Sequence, residues 1–353
     1  MMLALPADSG YIQFRSFSGG EVMAETVYDK LAEKIFCKGS RLIPQLFKIL
    51  ADEKDAQILV SLPASIPELK SKLGLDEKEI ENRLGGLFRK GVVFKSRKPE
   101  VTKYRLCRDI GQFHDASILW PEAPQSFYDL WQKYMDEEWP DYSRLVEKLP
   151  RPFTRVIPIE KTVEAKNQVL SFESVSEIIE KTHRVALTKC TCRVTAHKCD
   201  RPVEACLQVG KAADYTIERG TGREITKQEA MAIVRQAEDA GLVHLTVNKA
   251  SEFTFICNCC ECCCLFLPLL IKEGRKLCDP SRFQSNVLMD KCSGCRLCVD
   301  QCSFNAITMI SSPSAEVAEV NPEKCMGCGL CALVCPDDAI KLVQVRAKEF
   351  IPA

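Results

Sequence analysis

The chain has 353 residues, which is enough for two or three domains with ordinary cores. Its 48 Lys and Arg residues balance its 48 Asp and Glu residues, so the formal net charge is zero. This balance excludes binding of nucleic acid or of an anionic membrane through the field of the whole molecule, and any such site must be local.

Residues 20–110 carry the signals of a small helical module that ends in two strands. Ser65 and Pro67 open a helix that ends at Gly74. A second helix is predicted over 76–90, where apolar residues recur at helical spacing. Residues 92–94 and 103–106 follow as two short strands. This order resembles the winged helix-turn-helix of MarR- and ArsR-type regulators.

The charges of this module argue against DNA binding, although the module is basic overall. A recognition helix meets base edges with its N-terminal residues. Here those residues are the carboxylates of Asp76, Glu77, Glu79 and Glu81, which the DNA phosphates would repel. We therefore favour a structural or protein-binding module. DNA binding through the basic residues of the two strands and their turn, Lys95, Arg97, Lys98 and Lys103, stays open as the alternative.

Residues 111–159 are interpreted as a helical connector. A helix predicted over 125–138 places a set of large apolar side chains on one face, namely Phe127, Leu130, Trp131, Tyr134 and Met135. We expect this face to pack against a neighbouring part of the chain. A contact with a second copy or a partner is the alternative.

The chain has 21 cysteines, and most of them lie between Cys190 and Cys335 in spacings typical of metal sites. Residues 1–6 do not resemble a secretory signal, so we expect a reducing, cytoplasmic compartment rather than a disulfide scaffold. The longest apolar run, residues 265–271, is far shorter than the roughly 20 residues that span a bilayer. We therefore expect no membrane span.

Residues 160–280 form a predicted cysteine-rich domain. Four cysteines follow a strand predicted over 184–188, and six more crowd into residues 257–264 after a second strand. Six cysteines in eight residues cannot share one face of a strand or helix, which predicts an irregular metal-binding loop. The ten candidate ligands are Cys190, Cys192, Cys199, Cys206, Cys257, Cys259, Cys260, Cys262, Cys263 and Cys264. We expect at least one additional iron–sulfur cluster here, with zinc or a redox dithiol as alternatives.

Basic residues surround the first of these cysteines. Lys189, Arg193, His197 and Lys198 would offset the negative charge of a thiolate-ligated metal, or would bind an anionic substrate. His197 is also a candidate ligand, although a hydrogen-bonding role is commoner.

Residues 281–345 contain two copies of one motif, C-x2-C-x2-C-x3-C, which is the pattern of a protein that holds two [4Fe–4S] clusters. Three thiolates on a tight loop can reach three corners of one cluster, and the fourth cysteine points to the other cluster. This crossed pattern assigns Cys292, Cys295, Cys298 and Cys335 to cluster 1, and Cys325, Cys328, Cys331 and Cys302 to cluster 2. A pair of zinc sites is the alternative.

These residues resemble the bacterial-type dicluster ferredoxin family from Asp290 to about Val343. One departure is Ser303, where the family usually has proline, which leaves the ligands intact. The resemblance implies one-electron transfer through the clusters, with no need for a general acid or base.

The sequence as a whole predicts a multidomain α+β protein that carries electrons to or from a partner oxidoreductase, such as a flavin enzyme or another metalloenzyme. Two other functions stay open. A redox-sensing regulator would use the N-terminal module to bind DNA. A reductase would have its active site at the cysteines of the middle domain.

Overall fold

The computed structural model describes residues 25–97, 101–251, 253–312 and 316–353. The chain divides into two compact units. Unit 1 contains the described residues up to Arg144 together with Arg219–Thr221, and unit 2 contains Leu145–Glu218 and Gly222–Ala353. Within the described ranges, no helix is long and apolar enough to cross a membrane.

Unit 1 is mainly helical. Its helices are α1 (Val27–Lys34), α2 (Ile43–Leu50), α3 (Glu53–Val60), α4 (Ile66–Leu73), α5 (Glu77–Arg89), α6 (Ile110–Ser117), α7 (Gln125–Glu137) and α8 (Trp139–Val146), the last of which ends just beyond the boundary. Its strands are β1 (Val93–Arg97) and β2 (Thr102–Leu106), which pair antiparallel.

The helix ends in unit 1 follow the local signals of the sequence. At the start of α4 the Glu68 carboxylate accepts from the backbone N–H of Ser65 at 2.6 Å, and Gly74 ends this helix in the left-handed conformation. Asp76 caps α5 by accepting a hydrogen bond from the backbone N–H of Lys78 at 2.9 Å. The two predicted helices and the hairpin that follows are therefore all present.

The aromatic face predicted on α7 is buried inside unit 1. Trp131 and Phe127 are fully buried, and the Trp131 ring lies 5.1 Å from that of Phe113 on α6. Phe113 in turn stacks on Phe47 of α2 at 4.5 Å between ring centroids. These aromatic pairs add to the hydrophobic burial of the core. Packing within the unit thus accounts for this face.

Unit 2 is built around a seven-stranded sheet with the order β6-β4-β5-β8-β7-β3-β9. The strands are β3 (Thr154–Val156), β4 (Val185–Lys189), β5 (Glu204–Val209), β6 (Arg223–Ile225), β7 (Val243–Val247), β8 (Phe255–Cys259) and β9 (Cys278–Asp279). The helices of this part are α9 (Val175–Lys181), α10 (Thr191–Ala196), α11 (Lys211–Arg219, whose last residue is assigned to unit 1), α12 (Lys227–Asp239) and α13 (Leu267–Glu273). All neighbouring strands pair antiparallel except β3 and β9, which are parallel.

Two details of this sheet differ from the sequence interpretation. Residues 154–156, within the segment interpreted as a helical connector, form β3 and pair with both β7 and β9. The strand β8 also continues through Cys259, so the irregular loop begins only at Cys260. Pairing with strands that are distant in sequence explains both differences. It forms β3 in the predicted connector, and it continues β8 into the predicted loop.

The C-terminal part of unit 2 shows the internal repeat of the sequence. Its elements are β10 (Phe283–Val287), α14 (Leu297–Gln301), β11 (Ile307–Ser311), β12 (Glu316–Val320), α15 (Leu330–Leu333) and β13 (Ile340–Gln344). Two antiparallel ribbons result, one of β10 with β13 and the other of β11 with β12. Each repeat therefore contributes a short helix and a following strand.

Candidate metal centres

The cysteine loops of the two repeats have the same backbone shape. Gly294 and Gly327 both lie in the left-handed region, with φ of 71° and 64°. A side chain at either position would overlap a backbone carbonyl oxygen, that of Glu316 or that of Phe283. Glycine is therefore required for each loop to turn tightly enough to bring its cysteines together.

The four cysteines assigned to cluster 1 line one cavity. Cys292, Cys295, Cys298 and Cys335 face this space together with the apolar side chains of Met309 and Ile340, among others. Cys295 is exposed, whereas Cys298 is buried. Burial, followed by the charges of Cys292 and Cys295, raises the pKa of the Cys298 thiol. A bound cation would relieve this repulsion, so the donor set fits a thiolate-ligated metal cluster.

The four cysteines assigned to cluster 2 lie close to one another and deeper in the protein. Cys325 and Cys331 are buried, and Cys302 and Cys328 are half-buried. Burial raises the pKa of the Cys331 thiol to about 12, and the charges of Cys325 and Cys302 add to the shift. The Ser285 hydroxyl oxygen lies 3.1 Å from Cys331 Sγ, and this contact lowers the pKa of the thiol and so opposes the effect of burial. These donors also suit a thiolate-ligated cluster.

Backbone N–H groups contact the sulfur of the displaced fourth cysteine in both repeats. The Ala306 N–H donates to Cys302 Sγ at 3.3 Å, and the Ala339 N–H donates to Cys335 Sγ at 3.3 Å. Hydrogen bonds to ligand sulfur orient the ligand and help set the reduction potential of a cluster. The two repeats thus supply matching electrostatic environments at these positions.

The cluster 2 cysteines pack against the middle domain. Cys325, with Cys302 and Cys328 at its edge, belongs to the hydrophobic core that also contains Cys259 and Cys264. The Ile159 N–H donates to the Cys328 carbonyl oxygen at 2.9 Å.

Ser303, which replaces the usual proline of the family, also lies where the cluster 2 repeat contacts the middle domain. Its hydroxyl lies 3.4 Å from a carboxylate oxygen of Glu261 in the middle-domain loop. A proline here would lack this hydroxyl, so the departure from the family pattern supplies a polar contact between the two parts of unit 2.

Four of the ten middle-domain cysteines form a group that we name the compact quartet: Cys199, Cys260, Cys262 and Cys263. Among the described residues, these are the cysteines whose four Sγ atoms all lie within 4.8 Å of one another. Cys199 follows α10, and the other three follow β8. The predicted convergence of the two cysteine-rich segments is therefore present for this quartet, which does not include His197.

The thiols of Cys190, Cys192, Cys206 and Cys257 form a second group, which we name the strand-end set. Cys206 on β5 lies opposite Cys257 on β8, because the register pairs Leu207 with Ile256. Hydrogen bonding from Cys192 and Cys206 lowers the pKa of Cys190 to about 2. The remaining two candidate ligands, Cys259 and Cys264, are buried, and the neighbouring thiols of Cys257 and Cys264, followed by burial, raise the pKa of Cys259 well above its usual value.

Of the basic residues expected near the middle-domain cysteines, Arg193 lies beside the compact quartet. Its side chain is 2% exposed, and its Nη1 donates to the Asn258 carbonyl oxygen at 3.0 Å and lies 3.7 Å from Cys260 Sγ. The sequence indicates Arg193 only as one of several charges near the first cysteines. Its burial accompanies hydrogen bonds to the carbonyl oxygens of Pro202 and Asn258, which no local pattern in the sequence indicates.

Comparison with known protein families gives a result for the C-terminal repeats. Residues 291–339 match the family model of the 4Fe-4S dicluster domain. No curated protein matches the chain. The matched region contains all eight cysteines assigned to clusters 1 and 2, so the match supports iron–sulfur clusters in this part of the chain. Together with the cysteine groups of the middle domain, it indicates an iron–sulfur electron-transfer protein, and residues 291–339 are similar to the 4Fe-4S dicluster domain family.

Proposed function

We propose that the protein transfers electrons, one at a time, between an external redox partner and a metal site in its middle domain. The observation that carries this proposal is the position of the cluster 2 cysteines. On one side they share a hydrophobic core with Cys259 and Cys264, and Cys257 of the strand-end set packs against the same core. On the other side, Cys302 and Cys331 share a second core with the cluster 1 cysteines Cys298 and Cys335. The three groups of cysteines thus form a continuous series.

Cluster 1 is proposed to be the end that faces the partner. Cys295 is exposed, whereas the cluster 2 cysteines are buried or half-buried. When bound, the clusters would supply reversible one-electron chemistry, and the chain would supply the ligands, the apolar surroundings and the hydrogen bonds to sulfur. The proposed partner is a flavin enzyme or another metalloenzyme. The strand-end set is the proposed site of a further cluster.

A redox titration of the full chain, purified without oxygen, tests this function. We expect more than about eight irons per chain and at least three reversible one-electron processes, two of them with the paramagnetic resonance signals of reduced [4Fe–4S] clusters. A reduced sample should pass electrons rapidly to a one-electron acceptor such as a viologen. Zinc in place of iron, or iron that does not reduce reversibly, would contradict the proposal.

A pair of serine variants tests whether one of the measured potentials belongs to the cluster 2 cysteines. Hydrogen bonds to ligand sulfur are among the factors that set the potential of a cluster. Because Ser285 contacts Cys331 Sγ, Ser285→Ala should lower the potential of one centre and leave the other unchanged. The matched control is Ser61→Ala in unit 1, whose hydroxyl donates to the Gln57 carbonyl oxygen at 2.9 Å. Equal shifts in both variants would count against the assigned role of Ser285.

We further propose that unit 1 contains a winged-helix module that binds protein or stabilises the chain. The order α3, α4, α5, β1 and β2 supports the winged helix. Two of the four carboxylates at the start of α5 are engaged with basic side chains of the same unit. Glu77 accepts from Lys70 at 3.0 Å, and Glu79 accepts from Arg83 at 3.1 Å.

A binding assay with duplex DNA tests the use of this module. We expect the full chain not to bind duplex DNA even at low salt, where phosphate contacts are strongest. The assay is a mobility shift at increasing salt. Binding that weakens steeply with salt would instead favour a regulator.

A further inference from the structure

The sulfur atoms of the compact quartet have the spacing of ligands to a single metal ion. Cys199 Sγ lies 3.9 Å from Cys260 Sγ and 3.8 Å from Cys263 Sγ. The Sγ atoms of Cys262 and Cys263 are 3.7 Å apart. In a regular tetrahedral zinc site with Zn–S distances of about 2.3 Å, neighbouring sulfurs are about 3.8 Å apart.

A cubane cluster would need a wider arrangement. Each of its four thiolates binds a different iron at an outer corner, so the thiolate sulfurs are separated by the whole body of the cluster. The compact quartet has no such space, because all four Sγ atoms lie within 4.8 Å of one another. We propose that Cys199, Cys260, Cys262 and Cys263 bind one zinc ion, and that this site is separate from the strand-end set.

The surroundings of the compact quartet match the charge of such a site. Four thiolates and one zinc ion leave two surplus negative charges, which a buried site must offset. The guanidinium of Arg193, 2% exposed, lies 3.7 Å from Cys260 Sγ. Contacts of this kind around a metal site orient the thiolate ligands and stabilise their charge.

The zinc ion would hold together two segments that are distant in sequence. One segment follows α10 and carries Cys199, and the other follows β8 and carries Cys260 to Cys263. The second segment also carries Glu261, which is paired with Arg201 at 2.5 Å and lies 3.4 Å from the Ser303 hydroxyl. The ion would therefore fix the loop that contacts the cluster 2 repeat. This role is structural, and it does not require the zinc site to carry electrons.

X-ray absorption at the zinc edge, on the full chain purified without oxygen, tests the site directly. We expect one zinc per chain with four sulfur ligands at about 2.3 Å and no neighbouring metal. Substitution with Co²⁺ should give the absorption spectrum of a tetrahedral site with four thiolates. Zinc with nitrogen or oxygen ligands, or a chain that binds no zinc when zinc is supplied, would overturn the proposal.

Variants locate the zinc in the chain. Cys262→Ser should lower the zinc retained after dialysis against a chelator from about one per chain to less than half. The iron content and the resonance signals of the C-terminal clusters should stay unchanged. The control, Cys107→Ala, removes a buried cysteine of unit 1 and should retain the zinc. Loss of about four irons from Cys262→Ser would overturn the proposal, because it would mean that the compact quartet holds a cluster.

The wild-type absorption measurements keep the test valid if a variant fails to fold. The resonance signals of the C-terminal clusters test the electron-transfer function separately.

Discussion

Cys335→Ala should remove cluster 1, although Cys335 belongs to the second copy of the motif. Cys335 lines the same cavity as Cys292, Cys295 and Cys298. Cys302→Ala should likewise remove cluster 2, because Cys302 lies near Cys325, Cys328 and Cys331. Each variant should lose about four irons per chain and any magnetic interaction between the two reduced clusters.

The Ser285 hydroxyl identifies which cluster remains in each variant. Because Ser285 contacts Cys331, a cluster 2 ligand, adding Ser285→Ala to Cys335→Ala should shift the potential of the remaining centre. The same addition to Cys302→Ala should have no effect on the remaining centre. The control is Cys107→Ala, which should keep all of the iron. If Cys335→Ala instead spared the cluster of the first loop, the crossed assignment would be wrong.

The C-terminal repeats could be predicted from the sequence because their chemistry is local. Three cysteines at intervals of three residues need a tight loop, and Gly294 and Gly327 supply the left-handed turn that such a loop requires. The helix caps of unit 1 were predictable for the same reason, since the carboxylates of Glu68 and Asp76 accept from N–H groups two or three residues away.

The middle domain could be predicted only in outline because its arrangement depends on distant contacts. Ten cysteines indicated a metal-binding region, but the spacing in the sequence did not separate the compact quartet from the strand-end set. The pairing of β5 with β8 places Cys206 opposite Cys257, and the continuation of β8 through Cys259 leaves Cys260 to begin the loop. Pairing of distant strands determines both features, so neither could be derived from the local pattern.

A buried ion pair provides another example of a long-range feature with a large energetic effect. Glu173 and Arg282 are 109 residues apart, and they are 0% and 2% exposed. Arg282 donates to both carboxylate oxygens of Glu173, from Nε at 2.9 Å and from Nη2 at 2.7 Å. Arg282 also donates to the carbonyl oxygen of Gln168 at 2.6 Å. The pair therefore connects the segment before α9 to the start of β10.

Glu173→Ala should destabilise unit 2 by about 3–5 kcal/mol, because it leaves the Arg282 guanidinium buried without its counter-charge. The thermal midpoint of unfolding, followed by far-ultraviolet circular dichroism without oxygen, measures this loss. The matched control is Glu177→Ala, which removes an exposed ion pair with Lys181 and should change stability by less than about 1 kcal/mol.

The double variant Glu173→Leu with Arg282→Met separates the cost of an unpaired charge from the value of the pair itself. Apolar residues of similar volume often replace a buried ion pair with little loss. We expect the double variant to recover most of the stability that Glu173→Ala loses. A double variant as unstable as Glu173→Ala would show that the ion pair and its carbonyl contacts stabilise the junction in their own right. Because the hydrogen bonds of Glu173 and Arg282 go to each other and to backbone groups rather than to candidate ligands, the iron content of the folded double variant should equal that of the wild-type chain.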